Sequence, residues 1–162
     1  MKTVGEKLDL AINKPIAERA RFLKDLRERL ARAGLRPTRQ RLALGELLFV
    51  NGDRHVTAEL LYQEARAEKH PPSFATIYNT LHQFAEHGLV REIALYGSKL
   101  WYDTKTGPHF HFYFEDRDEL VDIPDDLIPL FSIAAPAGAE ITGIDVVVRL
   151  KSADCLPGRA AN

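Results

Sequence analysis

The hydrophobic pattern of this chain changes period once, at Gly88, and that change limits the folds open to it. Before Gly88 the apolar residues recur at helical spacing; after it they alternate, as they do along strands. From Pro15 to Ala33 the segment PIAERARFLKDLRERLARA puts Ile16, Leu23, Leu26 and Leu30 on one stripe, with Pro15 suited to a first turn and Gly34 to a C-terminal cap. Thr38 is expected to cap a second helix reaching Asn51-Gly52. Thr57 is expected to cap a third, AELLYQEARAEK, ended by His70-Pro71-Pro72. Ser73 caps a fourth, FATIYNTLHQFAEH, in which Phe74, Ile77, Leu81 and Phe84 share a face and which Gly88 ends. LVREIAL and SKLWYD then form a hairpin through Tyr96-Gly97.

Helices followed by a hairpin make a winged helix-turn-helix. The remainder reads differently: HFHFYF as a strand, ELVDI as its partner, ITGIDVVVRLK as a third strand, and DDLIPLF as the one helix candidate. The expected class is therefore α+β. An N-terminal winged helix-turn-helix DNA-binding domain with a basic first helix, residues 1–104, precedes a small α/β dimerisation and metal-sensing domain, residues 105–162. A unit that small buries little apolar surface alone. Its open sheet edge and VVV run predict pairing with a second copy as a twofold homodimer, with a higher oligomer left open.

Charge divides at the same place. Residues 1–107 carry a net +5, residues 108–162 a net −6, and residues 1–41 alone a surplus of +7. A basic first helix suits phosphate, although a solvated helix face has the same composition. No run approaches the ~18 to 20 apolar residues that span a bilayer. MKTVGEKLDL also lacks the apolar core of a signal peptide, so a cytoplasmic protein without membrane contact is expected. The single cysteine, Cys155, excludes a disulfide framework and any zinc knuckle of CxxC type. Metal chemistry must then use His, Asp and Glu.

Two groups of residues carry such chemistry. On the fourth helix, burial of Ile77, Leu81 and Phe84 turns Ala75, Asn79, His82 and Gln83 outward with Thr76 and Tyr78 on the flanks. Such a small polar face can enter the major groove of double-stranded DNA. In the strand after Pro108, alternation puts His109, His111 and Tyr113 on one face and three phenylalanines on the other, where they are expected to make the core. Imidazoles at i and i+2 project in parallel and can share one Zn, Mn or Fe ion, although two histidines on a strand more often face solvent. Asp103, ending the hairpin, is a natural carboxylate partner, and His55 could add a further nitrogen. An ion shared by these four residues would pin the two domains together and set the spacing of paired recognition helices.

These residues resemble the ferric uptake regulator superfamily over roughly Leu35 to Ile123. Its motifs stand here as RPTRQR, HVTAELLY, SFATIYNTL, GLV and WYD. The resemblance implies a metal-responsive transcriptional regulator, with one divalent metal per subunit on His55, Asp103, His109 and His111. It maps a minor-groove contact onto Arg36 and a base contact onto Tyr78. Arg39, Ser73, Ala75, Thr76 and Asn79 complete the expected DNA surface, and Asn79 stands where arginine is frequent. Phe114 and Arg117 occupy the positions of a cysteine pair that binds structural zinc, while Pro108 and Phe110 replace ligands of a second site. Those departures look like the iron response regulator branch. That likeness implies AT-rich palindromic operators, control of iron and haem genes, and haem as a regulatory ligand at His109 and His111. Cys155 is followed by Leu156 before Pro157, so no Cys-Pro haem motif exists. Three alternatives stay open: a zinc or peroxide sensor of the same superfamily, a winged helix used only for protein contacts, and a small HxH-carboxylate enzyme. The last lacks a general base and a cofactor loop, so no enzyme is expected.

Overall fold

A computed structural model describes residues 15–67, 71–95, 99–127 and 133–152. The chain divides into two compact units, Met1–Thr106 and Gly107–Asn162.

In the first unit α1 spans Ile16–Arg32, α2 Arg39–Phe49, α3 Ala58–Ala65 and α4 Phe74–Glu86. Their ends follow local chemistry. The Thr38, Thr57 and Ser73 side chains accept from the backbone N–H groups of Arg41, Leu60 and Thr76 at 3.3, 3.2 and 3.2 Å, satisfying donors that the first turn leaves open. Gly34 and Gly88 follow α1 and α4 with φ of 77° and 67°. That left-handed turn brings Leu35 N to Leu30 O at 2.9 Å and Leu89 N to Phe84 O at 2.8 Å. Leu26, Leu30, Leu44, Leu48, Leu61, Ile77, Leu81 and Phe84 meet in one core. Among the described residues no helix is long and apolar enough to cross a membrane.

Two stripe residues depart from expectation. Ile16 is 91% and Phe74 41% exposed, because each occupies the first position of its helix, beyond the reach of the packed turns. Phe74 instead meets Tyr62 edge to face, with ring centroids 5.7 Å apart. α3 ends at Ala65, short of the expected Lys69; residues 68–70 lie outside the described set, as does the expected Tyr96-Gly97 turn.

β2 (Arg91–Ala94) and β3 (Leu100–Asp103) form the expected antiparallel hairpin. A third strand, β1 (His55–Thr57), pairs antiparallel with the other edge of β3 and was not foreseen, since three residues carry no readable period. Its register sets His55 against Asp103.

In the second unit β4 (His111–Phe114) runs antiparallel to β5 (Glu119–Asp122) and parallel to β6 (Val147–Leu150). The long strand expected over residues 141–151 shrinks to these four residues of β6, preceded by Val146, whose carbonyl accepts from His111 N at 3.0 Å. Of the expected DDLIPLF helix, the described residues Asp125–Leu127 form a 3-10 turn, and residues 128–132 lie outside the described set. The phenylalanine face is not the core. Phe110, Phe112 and Phe114 are half-buried, whereas His109 and His111 are 3% and 2% exposed. The buried apolar side chains here are Leu120 and Ile123, and this unit's described residues include no α-helix.

Candidate metal centre and DNA-binding surface

On α4 the buried row of Ile77, Thr80, Leu81 and Phe84 leaves Ala75, Tyr78, Asn79 and His82 exposed, with Thr76 and Gln83 half-buried beside them. Thr80 turns its hydroxyl back to Thr76 O at 2.7 Å, so it offers nothing outward. Arg36 and Arg39 are both exposed near the start of α2. Arg41, absent from the expected set, links the two elements. Its guanidinium donates to Arg36 O and to Gln83 Oε1, both at 2.8 Å, beside a shallow cleft of about 290 Å³ lined by Thr38, Gln40, Asn79 and Gln83 among others. Arg29 belongs to the packing instead. It lies over the Phe49 ring at 4.1 Å and donates to Leu89 O at 3.1 Å, and burial lowers its pKa while Asp53 opposes that shift.

Within the first unit, His55 Nε2 lies 3.6 Å from Asp103 Oδ2. The other Asp103 oxygen accepts from Lys105 N at 2.9 Å, which fixes the carboxylate. Neighbouring Tyr102 stays neutral, since burial first and nearby carboxylates second push its pKa well up.

Within the second unit, His109 Nε2 and His111 Nε2 lie 3.4 and 3.8 Å from the same Asp122 oxygen, and the two rings are 4.5 Å apart. His109 Nδ1 is 2.8 Å from Gly107 O. Donation to that carbonyl leaves Nε2 as the lone-pair nitrogen facing Asp122. A metal-ligating imidazole has this arrangement, with its far nitrogen tied back so that the near one is aimed. Asp122 was missed by sequence reasoning. The signal was the length of the turn between HFYF and ELVD, which pairs His111 with Asp122.

The structure thus brings His55 to Asp103 and His109 to His111, each pair inside its own unit. These buried imidazole nitrogens and carboxylate oxygens suit Zn, Mn or Fe and include no thiolate. At the positions that would carry the cysteine pair, the Arg117 guanidinium stacks on Phe114 at 4.0 Å, a contact without a ligand.

A winged helix with an exposed polar face on its last helix, joined to a sheet unit bearing aimed imidazoles, defines the class of metal-binding, DNA-binding transcription regulators. The chain belongs to the Ferric uptake regulator family, whose pattern matches residues 32–148. It is 34% identical over 127 residues to the peroxide operon regulator of Bacillus subtilis (strain 168), covering 78% of this chain and 85% of that relative. It is also 36% identical to the peroxide-responsive repressor PerR of Staphylococcus aureus (strain Mu50), over 57% of this chain and 62% of that relative. The crystal structure of the Vibrio cholerae ferric uptake regulator is similar with a TM-score of 0.65 and 28% identity, over 77% of this chain and 98% of the other.

Proposed function

We propose that this regulator binds double-stranded DNA as a homodimer in the cytoplasm, and that one divalent transition-metal ion per subunit sets its DNA affinity. His55, Asp103, His109 and His111 would hold the ion, with Asp122 as a fifth donor. When bound, the ion supplies a positive charge that offsets the buried Asp103 carboxylate and the half-buried Asp122 carboxylate. The observation that carries this reading is the His109 imidazole held by Gly107 O with Nε2 turned toward Asp122 and His111. α4 would present Ala75, Tyr78 and Asn79 to base edges, with Ser73 and Thr76 at its start, while Arg36 and Arg39 meet the backbone or minor groove. The half-exposed phenylalanine face and the exposed Val148 on β6 favour a second copy as the cover.

Two signals are distinguished. The names of the two relatives favour a response to peroxide. The second signal is haem at His109 and His111, with control of iron and haem genes, for which the support is that imidazole is a common axial ligand. A mobility shift on AT-rich palindromic DNA tests the function, run with chelator, Mn²⁺, Zn²⁺ or Fe²⁺, and then with peroxide or haem added. Retention that requires metal is expected. Equal retention in chelator refutes the metal reading, and release by haem alone, with a Soret band that is lost in His109→Ala/His111→Ala, selects the haem response.

A further inference from the structure

The register pair His55–Asp103 is bracketed by the next residue outward on each strand. Arg54 N donates to Thr104 Oγ1 at 2.8 Å, Thr104 N donates to Arg54 O at 3.1 Å, and the Thr104 hydroxyl reaches the same carbonyl at 3.3 Å. The Arg54 side chain is gripped from two helices. Its Nη1 donates to Leu47 O in α2 at 3.1 Å, and the guanidinium meets both oxygens of Glu64 in α3 at 3.0 and 2.5 Å. Glu64 is itself 4% exposed.

Stability alone is a poor reason for this arrangement, because a well-packed apolar pair commonly serves a fold as well as a buried ion pair does. Geometry is a better one. A bidentate guanidinium–carboxylate pair fixes the orientation of both planes, which a leucine pair does not. Fixing Arg54 fixes the backbone from which His55 projects, in a strand of only three residues that would otherwise fray. A metal ligand must be held within roughly 0.5 Å of its working position, and its support lies in the surrounding shell.

We propose that Arg54, Glu64 and Thr104 are positioning residues that hold His55 against Asp103 for the ion. The inference rests on the metal reading above. The experiment uses the full chain, Co²⁺ as the probe followed by its visible absorption, and the thermal midpoint of chelator-treated protein measured in parallel. Thr104→Val keeps the shape and removes the hydroxyl, Thr104→Ser restores it, and Arg54→Leu/Glu64→Leu removes both charges together. Thr104→Val and the double variant are expected to bind Co²⁺ about tenfold more weakly or worse, with metal-free midpoints near that of the wild type, while Thr104→Ser matches the wild type. If the double variant does not fold, the Thr104 pair carries the test. Unchanged Co²⁺ affinity in Thr104→Val, or a loss that only tracks its metal-free midpoint, overturns the proposal. His55→Ala separates the two failures. If it binds Co²⁺ as tightly as wild type, the metal reading falls and takes this proposal with it; if it weakens Co²⁺ and Thr104→Val does not, only the positioning role is lost.

Discussion

Replacing Arg36 and Arg39 together by alanine should change how salt acts on DNA binding more than it changes the fold. Both side chains are exposed near the start of α2, so their removal opens no cavity. Each phosphate contact contributes about 0.9 to the slope of log affinity against log salt. Losing two should therefore lower the slope by about 1.8 per subunit. With both subunits of the dimer changed, a fourfold difference in salt concentration then gives a relative change of about 150-fold in affinity, well within the reach of a titration by fluorescence anisotropy. Arg29→Gln is the matched control. That arginine is committed to Phe49 and Leu89 O, so its loss should lower stability and leave the slope unchanged. A double variant with the wild-type slope, or a slope change as large in Arg29→Gln, would refute the assignment of these two arginines to the phosphate backbone.

Three further outcomes are expected. The His109→Ala/His111→Ala variant should lose the one equivalent of bound metal while Asp103 and His55 remain, read by elemental analysis after gel filtration; acidifying the wild type should also release metal, because protons compete for the imidazole nitrogens. Ser73→Ala should cost about 1 kcal/mol in denaturant unfolding and Ser73→Asp much less, since the side-chain cap on Thr76 N is lost only in the first. Gly45→Ala would place a methyl 3.0 Å from both Leu26 methyl carbons. Overpacking of about 1 to 3 kcal/mol then outweighs a helix-propensity gain of about 1 kcal/mol, and the same substitution in a Leu26→Ala background should stabilise.

What the sequence made legible here is what short-range chemistry decides. Thr38, Thr57, Ser73, Gly34 and Gly88 act where they stand because a hydroxyl or a glycine satisfies or turns a helix end within three residues of itself. Alternation failed on HFHFYF for a physical reason. It assumes that the apolar face is the buried one, yet here the imidazole face is buried, with the His109 and His111 rings 4.5 Å apart and His109 Nδ1 satisfied by Gly107 O. His109, His111 and Asp103 were singled out by their donor chemistry, which does not depend on an estimate of burial. Asp122 was not, because it enters only through the β4–β5 register. That register depends on the turn over residues 115–118, where Asp118 adopts φ of 49°. A turn one residue longer or shorter would send the residue 122 side chain to the opposite face, away from His109 and His111. The turn is thus as much a determinant of the candidate donor set as the residue types are.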